Sequence, residues 1–307
     1  MSVKIKKYNN ISWLDVTDLD DKDISYLKNN YKFHALDIKD LGNEAQRSKI
    51  DVYQQYAFII LKFPFKGKDN EIFSSHELAI FLGKDYLITV QKGKIKTLNQ
   101  YFFRLSNNKK LLNEVFSGSA GLLLYYILHE LYSHTLSITD ILAKEINKIE
   151  EDVYEQEARK SVRKLAWLRR NVLFLKSVVS AQLFVFKTLM QQKNAPYFND
   201  DDLANYYDDL ADMVKRIYSH LDISKELIEG LHEINESLNS YRLNRAMKIL
   251  TIFSVSMLPL TLLTGIYGMN LKTLPLAHEE SLVWYIFGGL TLVIIIIILS
   301  LRKKDVI

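Results

Sequence analysis

The sequence contains no cysteine, so disulfides and thiolate metal sites are excluded. Proline is scarce: Pro64, Pro196, Pro259 and Pro275 are the only four in 307 residues. Between Gly121 and Pro196 there is neither glycine nor proline, and such a stretch has nothing to stop a helix. Charge of one sign is also missing. Forty Lys and Arg face 36 Asp and Glu, a net charge of +4, with no basic tract dense enough to bind nucleic acid. The opening residues MSVKIKKYNNISW carry no apolar signal segment, so the soluble part is expected to stay in the cytoplasm.

Enzyme motifs are missing as well. His129 and His134 lie five apart on a helical stretch, roughly 140° around the axis, whereas a zinc-protease helix needs histidines four apart on one face. Gly67-Lys68, Gly83-Lys84 and Gly93-Lys94 lack both the upstream glycine and the Ser or Thr of a phosphate-binding loop. No catalytic constellation and no organic cofactor are expected.

Two long uncharged runs stand near the C-terminus. Ile249 to Tyr267 and Leu282 to Leu301 contain no Asp, Glu, Lys or Arg. At about 1.5 Å per residue each crosses a hydrocarbon core of about 30 Å. Arg242, Arg245 and Lys248 precede the first span, and Arg302, Lys303 and Lys304 follow the second. The connection between them offers Lys272 against Glu279 and Glu280. Basic flanks stay inside, so a helical hairpin in the cell's inner or plasma membrane, with both termini cytoplasmic, is predicted.

The spans differ in character. The second is rich in isoleucine and suited to lipid. The first carries Thr251, Ser254, Ser256, Thr261 and Thr264, with Pro259 and Gly265. At steps of three and four, Asn244, Met247, Leu250 or Thr251, Ser254, Leu258, Thr261 and Gly265 form one stripe. That stripe either lines a water-filled path or packs helices through small residues, and spacing alone leaves both open. Two spans cannot enclose a pore, so a path requires several copies around an axis. With no His or Cys in either span, rings of neutral amide, carbonyl and hydroxyl oxygen suit a hard, hydrated cation such as Mg2+.

The run Asn244-Arg-Ala-Met247-Lys-Ile-Leu250-Thr-Ile-Phe, then Leu258-Pro259-Leu260-Thr261, then Gly265-Ile-Tyr267-Gly268-Met269-Asn270, resembles the signature of the CorA family of Mg2+ channels. The resemblance covers the whole chain. It implies a homopentamer with a cytoplasmic funnel, carrying Mg2+ as the transported ion and as regulator. It places the hydrated ion at Gly268, Met269 and Asn270, the hydrophobic gate at Met247 and Leu250, and polar pore positions at Asn244 and Thr261. Many members have an acidic residue beside the loop proline. Here the loop reads Thr273-Leu-Pro275-Leu, and Glu279 with Glu280 are the substitutes. Pro196-Tyr-Phe-Asn-Asp200 is similar to the segment that brings an aspartate to an intersubunit Mg2+ site; Asp200 is the implied ligand, with Glu77 as its suggested partner. The residues themselves allow Asp200 to Asp202 to be a plain helix start. Trp13-Leu-Asp15, His34 to Leu41 and Tyr86 to Val90 are also similar to parts of the family's cytoplasmic domain.

The expected fold is thus an α/β cytoplasmic domain (1–118), a helical hairpin (119–193), a stalk helix (194–248), a first membrane helix (249–267), an external loop (268–281), a second membrane helix (282–301) and a basic tail (302–307). Strands are predicted at Val52–Phe63, Glu77–Leu82 and Tyr86–Gln91, and helices at Asp21–Tyr31 and Ile95–Leu105. Ile138, Ile141, Leu142, Ile146, Ile149 and Val153 give the hairpin an apolar stripe, with a turn near Glu155 to Arg159. Arg159, Lys160, Arg163, Lys164, Arg169 and Arg170 read as a solvated face paired with the acidic residues before them. The partners expected are membrane lipid, divalent cations and further copies of the chain. A relative that moves Co2+, Ni2+ or Zn2+, and a membrane-tethered scaffold or sensor, are the rival readings.

Overall fold

The computed structural model describes residues 3–17, 19–42, 47–67, 73–92, 94–154, 158–191, 195, 203–270 and 280–303. The elements in chain order are β1 (Val3–Tyr8), β2 (Ile11–Thr17), α1 (Asp21–Asn30), α2 (Ala35–Gly42), β3 (Lys49–Val52), β4 (Tyr56–Lys66), β5 (Phe73–Gly83), β6 (Tyr86–Lys92), α3 (Lys96–Asn107), α4 (Lys109–Val115), α5 (Ala120–Tyr154), α6 (Ala158–Met190), α7 (Leu203–Tyr267) and α8 (Glu280–Lys303). They fall into two compact units, Met1–His232 and Glu233–Ile307.

The first unit is built on one six-stranded sheet of order β1-β2-β6-β5-β4-β3. Only the β2–β6 pair is parallel; the other neighbours are antiparallel. The central strands are buried on both faces and therefore read as continuous apolar runs such as Tyr-Ala-Phe-Ile-Ile-Leu. On one face Leu14, Val16, Phe58, Ile60, Ala79, Phe81, Ile88 and Val90 pack with Leu27 of α1 and Ile38 and Leu41 of α2. On the other, Trp13 meets Phe102 of α3 and Phe63 meets Tyr132 of α5, each edge to face.

Two polar networks pin this sheet to its helices. Asp15 is fully buried on β2 and accepts hydrogen bonds from Thr89 Oγ1 (2.8 Å) and Gln91 Nε2 (2.9 Å). Gln91 Oε1 in turn accepts from the Ile95 N–H at the start of α3. Asp37 of α2, also buried, accepts from Tyr53 (3.0 Å) and Tyr56 (2.7 Å). Burial raises the pKa of both carboxyls, and the hydrogen bonds they accept oppose that rise.

Several sequence expectations are corrected here. The run 52–63 is two strands, because Tyr53 to Gln55 turn the chain and the Tyr53 N–H bonds back to the Tyr56 carbonyl. Pro64 does not end β4, which continues to Lys66 with Pro64 opposite Ser75. β1, β2, α2 and α4 are short and carry no strong periodic signal in the sequence. The β1–β2 hairpin closes at Asn9-Asn10, with Asn9 at φ 50°, a left-handed conformation that asparagine tolerates. At the β5–β6 turn, a Cβ on Gly83 would lie 2.3 Å from the Tyr86 ring, so any side chain there would displace that ring.

The helical hairpin is α5 and α6. Ile138, Leu142, Ile146 and Ile149 are buried, whereas Ile141 is exposed. Lys164 of α6 lies 3.5 Å from Glu145 of α5, one instance of the expected basic-to-acidic pairing. Tyr132 donates to Gln182 Oε1 (2.6 Å), which fixes α5 to α6, and the Gln182 amide donates to the Lys62 carbonyl of β4. The first part of α7 joins them through Leu203, Tyr207, Leu210, Val214, Ile217 and Leu221, all buried. Tyr207 donates to the Gly121 carbonyl (2.9 Å), and Lys176 pairs with Asp222. Tyr125 donates to Asp209 Oδ2 (3.2 Å), and burial together with that carboxylate pushes its phenol up to about 12.

Among the described residues three helices are long and apolar enough to cross a membrane: Val162–Met190 of α6, α7, and Val283–Leu301 of α8. The first of these buries Leu165, Leu168, Val172, Leu175, Val179 and Phe186 within the first unit and needs no lipid. The apolar windows of α7 and α8 have no such cover.

Candidate ion pathway

Every pore candidate drawn from the sequence up to Thr261 falls on one continuous helix. α7 runs unbroken from Leu203 to Tyr267, through Pro259, even though proline removes an N–H from the ladder. Its half-buried positions between 252 and 267 are Ile252, Ser256, Leu260, Leu263 and Tyr267. At about 100° per residue these cluster within roughly 40° of a common direction. Asn244, Met247, Leu250, Thr251, Ser254, Leu258, Thr261 and Gly265 are all exposed. On the same construction their mean direction lies about 180° from the half-buried stripe. On α8, Val283, Ile286, Phe287, Leu290 and Ile294 are likewise half-buried at helical spacing. The candidate stripe is thus the side of α7 left bare in the unit that holds both apolar helices.

The hydroxyls on this stripe have a defined polarity. Ser254 Oγ donates to the Leu250 carbonyl (2.9 Å) and Thr261 Oγ1 to the Met257 carbonyl (2.9 Å). Thr251 Oγ1 donates to the Met247 carbonyl (2.8 Å). With its proton committed to the helix, each hydroxyl presents only lone pairs outward. Such an oxygen accepts from the water shell of a hydrated cation and has no proton to direct at the cation itself. The large apolar members, Met247 at 57%, Leu250 at 66% and Leu258 at 64% exposure, are bare positions among these polar ones.

The helix ends through Gly268. Its N–H donates to the Thr264 carbonyl (2.9 Å) and the Met269 N–H to the Ile266 carbonyl (3.2 Å). A Cβ on Gly268 would stand 2.9 Å from Thr264 O, closer than real side chains come. Gly268 therefore sets the exit of the chain, and the exposed Met269 and Asn270 follow directly. The loop that continues, including Thr273 to Leu276 and Glu279, lies outside the described residues, as does the Glu280 side chain. Trp284 and Tyr285, 76% and 78% exposed at the start of α8, were not singled out from the sequence. Aromatic rings at the end of an apolar span are the signal that finds them, since such rings settle at membrane interfaces.

The proposed regulatory pair is placed only in part. Asp200, with Asp201 and Asp202, lies outside the described residues. Glu77 lies on β5, nearly buried, with Lys92 Nζ at 2.7 Å from its Oε1. Among the described residues no three His, Asp or Glu side chains gather as a metal-holding group.

An α/β unit, a long helix that becomes an apolar span, and a second apolar helix together are the architecture of a membrane protein. The sequence matches the CorA-like Mg2+ transporter protein family over residues 8–303, and the chain belongs to that family. It is 26% identical over 295 residues to the cobalt/magnesium transport protein CorA of Methanocaldococcus jannaschii, covering 95% of this chain and 90% of that one. It is 23% identical over 294 residues to the protein of the same name from Thermotoga maritima, covering 95% and 82%. The complete structure of the CorA magnesium transporter from Methanocaldococcus jannaschii superposes with a TM-score of 0.81 at 24% identity, over 98% of this chain and 93% of that chain. The overall architecture expected from the sequence is the one found.

Proposed function

We propose that the chain forms a gradient-driven Mg2+ channel, assembled as a homopentamer, in which the bare side of α7 lines the path. The observation that carries this reading is the opposition of the two α7 stripes. The polar residues and the apolar positions between them lie on the side opposite the half-buried stripe, and on this reading further copies of α7 meet there around an axis.

Asn270 then becomes a ring of amide oxygens at the outer mouth, where it holds the ion by accepting hydrogen bonds from its water shell. Mg2+ parts reluctantly with those waters, so recognition through the shell is less costly than stripping it. Glu279 and Glu280 concentrate cations at the entrance. Thr261 and Ser254 offer acceptor-only oxygens along the path, and Asn244 does the same at its inner end. Leu258, Leu250 and Met247 form constrictions without oxygen, and Met247 with Leu250 serves as the gate, closed when water is excluded. Inside-negative potential contributes about 4.6 kcal/mol per 100 mV for a divalent ion, twice the value for one charge, so entry needs no ATP.

Internal Mg2+ closes the channel by bridging carboxylates between copies, with Asp200 as the principal ligand. Glu77 joins that set only by exchanging Lys92 for the cation. Both termini are cytoplasmic, given the exposed Arg242, Arg245 and Lys248 before the first span and Lys303 after the second.

The test is divalent-cation entry into sealed liposomes under inside-negative potential, with Mg2+, Co2+, Ni2+ and Zn2+ supplied in turn. Saturable Mg2+ entry that disappears in Asn270→Ala, with assembly intact, is the expected result. Entry of Zn2+, Ni2+ or Co2+ with Mg2+ rejected assigns a different cargo. No entry of any divalent ion, even with internal Mg2+ chelated, overturns the channel and leaves a membrane-tethered scaffold.

A further inference from the structure

The first unit holds an open groove of about 580 Å3 between α6 and the strands β3 to β5. Among the described residues its polar lining is one-sided: Arg47, Ser48, Lys62, Ser75, Ser177 and Ser180, with no carboxylate among them. Phe174 and Val178 add an apolar wall. The lining comes from several elements. Arg47 and Ser48 lead into β3, Lys62 and Ser75 sit on neighbouring strands, and the two remaining serines are three residues apart on α6.

Three observations point to an anion. Neither Arg47 nor Lys62 forms an ion pair among the described residues, although other basic groups nearby do: Lys49 pairs with Asp40 and Asp51, and Lys92 with Glu77. The carboxylate closest in register to Lys62 is Glu77, its cross-strand partner, and that charge is taken up by Lys92 at 2.7 Å. Ser48 Oγ is buried without a hydrogen-bond partner among the described residues, an arrangement that is unfavourable unless something else supplies the bond. Ser177, by contrast, spends its proton on the Phe174 carbonyl (2.7 Å).

We infer that this groove binds a small phosphate-bearing anion. Arg47 supplies a planar fork that matches two phosphate oxygens, and Lys62 supplies a point charge. Ser48 donates its unused proton, with Ser75 and Ser180 as further donors. The volume leaves room beyond one phosphate group for an organic moiety against Phe174 and Val178. Phosphate could reach these groups as a soluble molecule or as a lipid headgroup, and the chemistry of recognition is the same for both. The site lies entirely within the first unit and does not depend on the transport reading.

The probe is inorganic phosphate, titrated at constant ionic strength against the full-length protein in detergent. Two readouts run together: the thermal unfolding midpoint and the 31P linewidth of the phosphate, which reports binding independently of stability. Saturable binding is expected, weakened roughly tenfold or more in the double variant Arg47→Gln/Lys62→Gln and severalfold in Ser48→Ala, as loss of charge-assisted hydrogen bonds requires. A control, Lys109→Gln/Lys110→Gln at the exposed start of α4, is expected to bind as wild type. Nanodiscs of phosphatidylglycerol, compared with phosphatidylcholine in the absence of phosphate, separate the sources. Stabilisation by phosphatidylglycerol that needs Arg47 and Lys62 assigns the anion to a headgroup, and response to free phosphate alone assigns a soluble ligand. Absence of saturable binding, or equal binding by wild type and the double variant, overturns the proposal.

Discussion

Gly268→Ala perturbs the candidate mouth with one methyl group, and the structure sets its cost. The added Cβ would stand 2.9 Å from the Thr264 carbonyl oxygen, and that oxygen already accepts the Gly268 N–H at 2.9 Å. Ordinary contact begins near 3.4 Å. Relief therefore needs about half an ångström of movement that pulls the donor from its acceptor. Loss of one such bond costs about 1 kcal/mol and strain raises the total to about 2 kcal/mol, a factor of roughly 5 to 30 in the population with the native exit. Gly230→Ala provides the matched control, because nothing lies within 4 Å of its Cβ. In mid-helix that change is expected to be neutral or to stabilise by up to about 1 kcal/mol. Measured side by side in liposomes at equal protein density, Gly268→Ala should slow Mg2+ entry at least fivefold while Gly230→Ala stays within twofold. Unchanged entry in Gly268→Ala would refute the link between the helix exit and the placement of Asn270.

Other outcomes follow from the same structure. Thr261→Val keeps the shape but removes the outward lone pairs, so Mg2+ entry should fall with the melting temperature unchanged, as read by flux and circular dichroism. Asp15→Ala strands the buried Gln91 amide and takes from the Thr89 hydroxyl its shorter acceptor, and should destabilise the protein by about 2 kcal/mol in thermal unfolding. His76 is stacked on Phe65 with ring centroids 3.7 Å apart, and burial lowers its pKa. A folded-state pKa below the unfolded value of about 6.5 means the unfolded chain takes up the proton first. Stability should accordingly decline as pH falls below that value, and His76→Phe should flatten the decline.

Much of this architecture is legible in the sequence because its strongest signals are long and periodic. The uncharged runs 249–267 and 282–301, the apolar stripe of α5 and the β5–β6 hairpin each repeat a pattern over many residues. The N-terminal hairpin is not legible: the alternation in β1 is short and breaks at Lys6-Lys7, and its turn is Asn-Asn without glycine. The end expected at Phe63 falls short because pairing with β5 carries β4 on to Lys66, past a proline that cannot donate. The stripe on α7 could be drawn from spacing alone, but whether it lined a path or packed against a neighbour could not. The half-buried stripe on the opposite side is a property of packing that spacing does not encode, and it supports the path proposed above. The groove at Arg47 and Lys62 was equally hidden, because its members are scattered over residues 47 to 180 and meet only through the sheet and α6.

The natural absence of cysteine makes the most direct measurement possible without a background to remove. Single cysteines placed at Ser254, Leu258 and Thr261 on one side of α7, and at Ile252, Ser256, Leu260 and Leu263 on the other, are each treated with a charged thiol reagent during Mg2+ flux. Block confined to the first three is the result expected if that face lines the ion path. Block confined to the other four, or by neither set while flux persists, would contradict it.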